Sequence, residues 1–184
     1  MLQIRRTTAL VAGPVFAILL ATTVVAGPAA SRQAEGTFVD ASGAESGWVR
    51  LSEDERGIVH VNVKVDGLTT GLHGIHIHAA GSCSTTVTTF DGALGHFNPL
   101  GHEHGLENPA GPHAGDLPNL VVDIDGRGTL NTKTDRVTLS AGPVTLFDAN
   151  GSAFIIHANP DDQVTNVGNG GSGPRIACAV ISPR

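Results

Sequence analysis

From Ile58 to Val65, Val59, Val61, Val63 and Val65 alternate with Ile58, His60, Asn62 and Lys64. Successive strand side chains leave opposite faces, so the valines line one face and the mostly polar residues the other. An apolar sheet face must be buried against another layer or against the same sheet closed on itself. Related alternation predicts eight strands, at about residues 34–40, 46–53, 57–66, 71–78, 119–124, 127–139, 152–157 and 175–181. The 24 glycines and ten prolines suit short strands and shaped turns, since both residues weaken helix interiors. Asp125-Gly126, between two of these runs, reads as a tight hairpin turn. The expectation is a one-domain, all-β sandwich or barrel.

The first thirty residues read as an address and not as part of the fold. Arg5 and Arg6 precede an apolar run from Ala9 to Ala26 without an acid, followed by Gly27, Ala29 and Ala30. This pattern fits a secretory signal of residues 1–26, with Ala30 as an alternative end, leaving a domain at 27–184. The other readings are a retained membrane anchor and, from the paired arginines, twin-arginine export. Removing residues 1–26 takes away two arginines and no acid, leaving nine basic against 17 acidic residues, a formal charge of −8. That balance argues against nucleic acid as a partner. Cys83 and Cys178, behind an export signal, read as one disulfide formed in an oxidising compartment. Closing so long a loop stabilises a fold by about 4–5 kcal/mol in the chain-entropy account. The expected location is periplasmic, cell-envelope or secreted, with no membrane contact once the leader is cleaved.

Two irregular segments, 79–118 and 158–174, are too long to be simple connectors, which marks them as functional loops. Nearly all the histidines lie in them or at their borders. His76 and His78 stand two apart in a predicted strand and therefore share a face. His96, His104, His113 and Asp116 crowd the first long loop, and His157 ends another strand. Imidazoles with a carboxylate suit zinc or another divalent ion of borderline softness. By type alone His102 competes with His104. His60 reads as a solvated surface residue and His73, facing away from His76 and His78, as a structural hydrogen-bonding residue.

Gly71 to His78, Gly95-His96-Phe97-Asn98-Pro99, His104-Gly105, His113-Ala114-Gly115-Asp116-Leu117, His157 and Gly173-Pro174-Arg175-Ile176-Ala177-Cys178 together resemble the copper/zinc superoxide dismutase family. The resemblance covers essentially all of the chain after the leader. It implies an eight-stranded Greek-key barrel with two functional loops. It also implies copper at His76, His78, His96 and His157, and zinc at His96, His104, His113 and Asp116, with His96 bridging the ions. The family spacing selects His104 over His102. Asp161 matches a carboxylate that links a copper histidine to a zinc histidine, Arg175 matches a guide for the superoxide anion, and Cys83 and Cys178 match an intrasubunit disulfide. The implied activity is disproportionation of superoxide to dioxygen and hydrogen peroxide, by a monomer or homodimer. An exported copper store or carrier on the same fold is the alternative. A zinc hydrolase fits less well, because the implied zinc set has four protein ligands and no open position.

Overall fold

The computed structural model describes residues 32–184; the expected leader and its cleavage site lie outside the described residues. Ten strands occur among the described residues: β1 Arg32–Asp40, β2 Glu45–Glu53, β3 Val59–Val65, β4 Gly71–His73, β5 Ile75–His78, β6 Leu120–Val122, β7 Gly128–Thr134, β8 Ala153–His157, β9 Arg175–Val180 and β10 Ser182–Pro183. Nine form a continuous antiparallel path, β4-β6-β7-β3-β2-β1-β9-β8-β5, and the two-residue β10 pairs with β1. β4 and β5, at the two ends of that path, are joined through Gly74 alone, so the sheet is a nearly closed barrel. The connections β3 to β4 and β5 to β6 join strands that are not neighbours, giving the crossovers of a Greek key.

The valine alternation of β3 is realised as predicted: its four valines are buried, while His60, Asn62 and Lys64 face outward. They meet Phe38 and Ala34 from β1, Val49 and Leu51 from β2, Ile75 and Ile77 from β5 and Phe154 and Ile156 from β8 in one core. A second apolar cluster of Phe90, Ala93, Ala153, Ile155 and Cys178 lies beneath the start of the first long loop, on the other face of β8. Asp123 closes the turn between β6 and β7. Its Oδ1 accepts the amides of Asp125 and Arg127 at 2.9 Å each, with Gly126 at φ 79°.

Two strand predictions are corrected. The run 71–78 is two strands, because at Gly74 the backbone changes partners: β4 pairs with β6 and β5 with β8. Gly74 itself bonds Asn159 and His157 across this corner, at 2.8 Å each. The run 127–139 stops as a strand at Thr134. Val137 and Leu139 still point into the core, but the amides beyond Thr134 leave the ladder: that of Arg136 donates to Thr134 Oγ1 at 3.1 Å and that of Thr138 to the Val144 carbonyl at 3.0 Å. The buried Glu53 carboxylate accepts those of Leu139 and Ser140, at 2.7 and 2.6 Å. This satisfies the backbone without a ladder.

Candidate metal centre

The two long loops are irregular apart from short 3-10 turns at Asp91–Ala93 and Asn169–Gly171, and they fold over the outer face of β5 and β8. Ile75 and Ile77 of β5 enter the core, so His76 and His78 must leave by the opposite face, where both are fully buried under the loops. His157 reaches the same place from β8. A register shift between Ile156 and His157 sets His157 opposite Arg175 of β9, the re-aiming that a bulge produces. His96 arrives from the first loop, its ring stacked on that of His76 at 4.0 Å between centroids.

Each of these four histidines has one nitrogen engaged and one left over. His78 Nδ1 meets the Leu94 carbonyl at 2.9 Å, His157 Nδ1 that of Gly173 at 2.9 Å, and His76 Nε2 the Asp161 carboxylate at 2.7 Å. His96 Nδ1 lies 2.9 Å from Asp116 Oδ1. The remaining nitrogens, Nδ1 of His76 and Nε2 of His78, His96 and His157, are buried without a hydrogen-bond partner among the described residues. The four histidines offer ligand atoms all within 4.8 Å of one another. Orphaned buried nitrogens are costly alone and fit a soft or borderline cation shared among them. Burial foremost, and repulsion from His96, depress His76 to about 3 and His157 to about 4; burial also holds His78 and His96 below their ordinary value. Near neutral pH these rings therefore present lone pairs. The donor set fits copper.

The other half of the site is built around Asp116. Its Oδ1 lies 2.9, 3.1 and 3.3 Å from the Nδ1 atoms of His96, His104 and His113. Its Oδ2 accepts the amides of Gly105 and His113, each at 2.9 Å. A second close group of possible ligands comprises His76, His96, His104 and Asp116. His76, however, already turns one nitrogen to the first cluster and the other to Asp161, whereas His113 brings Nδ1 to 3.3 Å from His96 Nδ1. Three imidazoles and a carboxylate fit zinc. Burial disfavours a charge on His104, but Asp116 and Asp161 at its two nitrogens outweigh that and raise it to about 9. Burial pushes Asp116 upward, yet its three histidine partners hold it far below the carboxylate range. A divalent ion would replace the proton on His104 Nδ1.

Asp161 couples the halves, with Oδ2 on His76 Nε2 at 2.7 Å and Oδ1 3.1 Å from His104 Nε2. Gly170, at φ 63°, passes so close that any Cβ would collide with this carboxylate. Arg175 extends Nη1 to the Phe90 carbonyl at 2.6 Å and Nη2 to that of Leu94, which also receives His78. Cys83 and Cys178 form a disulfide. All eleven predicted site residues thus lie in or beside one structure. His102 stays outside it, held by Asn98. His60 is partly exposed, 3.6 Å from Asp54, and His73 is buried between the carbonyls of His157 and Thr69.

Sequence reasoning missed Asn119, which clamps the backbone of Asp161 through two 2.8 Å hydrogen bonds. It also missed Phe90 and Leu94, whose carbonyls hold Arg175. The signal for Asn119 was slight, an amide at a strand entrance. For Phe90 and Leu94 there was none, because a main-chain carbonyl has no residue type.

A family model described as copper/zinc superoxide dismutase matches residues 45–181. A copper/zinc superoxide dismutase of Aquifex aeolicus is 38% identical over 151 residues, spanning 81% of this chain and 86% of that one. One of Caulobacter vibrioides is 38% identical over 142 residues, 76% and 79% of the two chains. Among solved structures, a superoxide dismutase-like protein of Bacillus subtilis has a TM-score of 0.73 at 37% identity, covering 79% of this chain and 95% of that one. The copper/zinc superoxide dismutase of Brucella abortus has a TM-score of 0.67 at 26% identity, covering 82% and 99%.

Proposed function

The chain belongs to the copper/zinc superoxide dismutase family, and from that premise we propose that His76, His78, His96 and His157 hold copper, that His96, His104, His113 and Asp116 hold zinc, and that His96 bridges them. The protein is a superoxide dismutase that uses copper and zinc, converting two superoxide anions and two protons into dioxygen and hydrogen peroxide. The alternative of a copper store or carrier is not favoured. The observation that carries the residue assignment is the set of four orphaned nitrogens converging from β5, β8 and the first loop.

When bound, copper supplies a one-electron carrier that alternates between two oxidation states, and zinc a fixed charge without redox chemistry. The protein supplies orientation, protons and substrate guidance. Hydrogen bonds at the second nitrogens of His76, His78 and His157 fix each tautomer and aim the free lone pair inward. His96 turns Nδ1 toward Asp116 and Nε2 into the four-histidine cluster, so one ring would serve both halves, and Nε2, when not engaged by the metal, would be the atom able to hold a proton for peroxide formation. Arg175, partly buried and pinned by two carbonyls, keeps its charge beside His157 and presents its remaining donors to an incoming anion.

The deciding experiment measures copper and zinc stoichiometry with stopped-flow superoxide decay on wild type and His157→Ala. The variant is expected to lose copper and fall to background activity while retaining zinc. Equal loss of both metals from a folded variant would overturn the division of ligands. We further propose a cleaved leader at 1–26 and an exported, periplasmic or cell-envelope location, which the Cys83–Cys178 disulfide supports. The amino-terminal sequence of the exported protein tests this, with a start at Gly27 expected.

A further inference from the structure

Arg136 lies two residues beyond the end of β7, in no segment that sequence reasoning connected with a metal. Its guanidinium reaches the first long loop, where Nη2 donates to the main-chain carbonyl of Asp116 at 2.6 Å. Asp116 is thereby held in three ways. Oδ1 faces three histidine nitrogens, Oδ2 accepts the amides of Gly105 and His113, and the carbonyl accepts Arg136. The histidines and both amides come from the same long loop as Asp116, and that loop is also tied to β5 beside Asp116, where the Gly115 carbonyl accepts the Ile77 amide at 2.9 Å; Arg136 adds a tie to a different part of the fold. Arg136 comes from the barrel wall. β7 is paired along its length with β3, Val59 opposite Thr134, and the adjacent Val137 is fully buried in the core.

A hydrogen bond from a cation to a carbonyl is stronger than one between neutral groups. An aspartate side chain is short, so a shift of the Asp116 main chain carries its carboxylate along, and a bond that fixes the carbonyl helps set where Oδ1 stands relative to the histidines. We infer that Arg136 is a positioning residue for zinc, tying the Asp116 main chain to the barrel and holding Oδ1 in place before the ion arrives. The inference rests on the zinc set proposed above.

Arg136→Met keeps the length of the stem and removes the donors, so zinc affinity should fall about 10-fold or more, as for other partners that orient metal ligands. Arg136→Lys restores a cationic donor without the planar fork and should recover part of the loss. The test measures zinc dissociation constants by competition with a chromogenic chelator, the visible absorption of cobalt(II) loaded in place of zinc, and the melting temperature without metal. The proteins are wild type, Arg136→Met, Arg136→Lys and Asp116→Ala. Weaker zinc binding and altered cobalt bands in Arg136→Met, partly reversed in Arg136→Lys, are expected. If Asp116→Ala binds zinc weakly while both Arg136 variants match wild type in affinity and spectrum, Arg136 only stabilises the fold and the inference fails. If Asp116→Ala binds zinc as tightly as wild type, the zinc assignment fails first and takes this inference with it.

Discussion

A single carboxylate carries much of the precision of the metal centre. Asp161 touches no orphaned nitrogen, yet it fixes the ring of His76 in the four-histidine cluster and that of His104 in the cluster around Asp116. Asparagine at this position has one acceptor oxygen where the carboxylate has two, so Asp161→Asn leaves one ring without its partner. Affinity for both metals should fall about 10- to 100-fold, the usual consequence of losing a partner that orients ligands. Titration of each metal against a chelator checks this, and loss of one metal alone would show that the carboxylate serves only one half. Leu94 is the residue whose identity is least expected. It sits at φ 64° and ψ −153°, a region nearly confined to glycine, and its carbonyl receives both His78 and Arg175. Strain of this kind concentrates where surrounding structure overrides local preference.

At the scale of elements, the fold depends on contacts between segments far apart in sequence. Glu53, at the end of β2, gathers the amides of Leu139 and Ser140 and the Ser140 hydroxyl where β7 has already ended. Burial alone would raise its carboxyl, but these hydrogen bonds outweigh that and lower it below the ordinary value of 4.5. A depressed carboxylate stabilises the fold fully above its unfolded value and loses that contribution as pH falls toward the folded one. Glu53→Gln should therefore destabilise the protein near neutral pH by about 1–3 kcal/mol. Its melting temperature should also fall less than that of wild type as pH is lowered from about 5 to 3. Parallel melting curves across that range would remove Glu53 from the account. The disulfide acts on the other long connection. Cys178→Ser frees the segment that includes Phe90 and Leu94, the acceptors for Arg175, and by the chain-entropy account costs about 4–5 kcal/mol. A drop in melting temperature of about 10 °C or more is expected, read by calorimetry.

For the whole molecule the central problem is charge. The described domain belongs to a chain whose acids outnumber its lysines and arginines, 17 to 11, while its substrate is an anion. Capture must rely on a local positive field. The second long loop contains no lysine or arginine; of its two aspartates, Asp161 is bonded to His76 and His104, and Asp162 caps the turn at Val164 and Thr165. Arg175 remains as the cation placed beside the four histidines. Arg175→Gln should lower kcat/KM most at low ionic strength, where unscreened attraction extends furthest, and Arg175→Lys should lose less. Stopped-flow decay at several salt concentrations reads both, with metal content measured alongside because Leu94 also holds His78. Equal rates for wild type and Arg175→Gln throughout the series would leave anion guidance to the metals alone.

Sequence by itself determined the all-β barrel and brought forward the candidate metal-site residues. Both rest on local information: β3 needs only the period-two valines of 59–65, and His76 and His78 need only their spacing to leave by one face. The order of the remaining histidines and acids, with the motifs around them, carried the family. Tertiary structure decided everything that required a partner to be chosen. It divided 71–78 at Gly74 because the barrel closes there, and it ended β7 at Thr134 because the Thr134 hydroxyl, the Val144 carbonyl and Glu53, not another strand, take the amides of Arg136, Thr138, Leu139 and Ser140. It matched His78 to a main-chain carbonyl 16 residues away and His76 to a carboxylate 85 residues away. Such choices depend on distances set by packing of the whole chain, and backbone carbonyls, which every residue carries alike, leave no mark in the sequence.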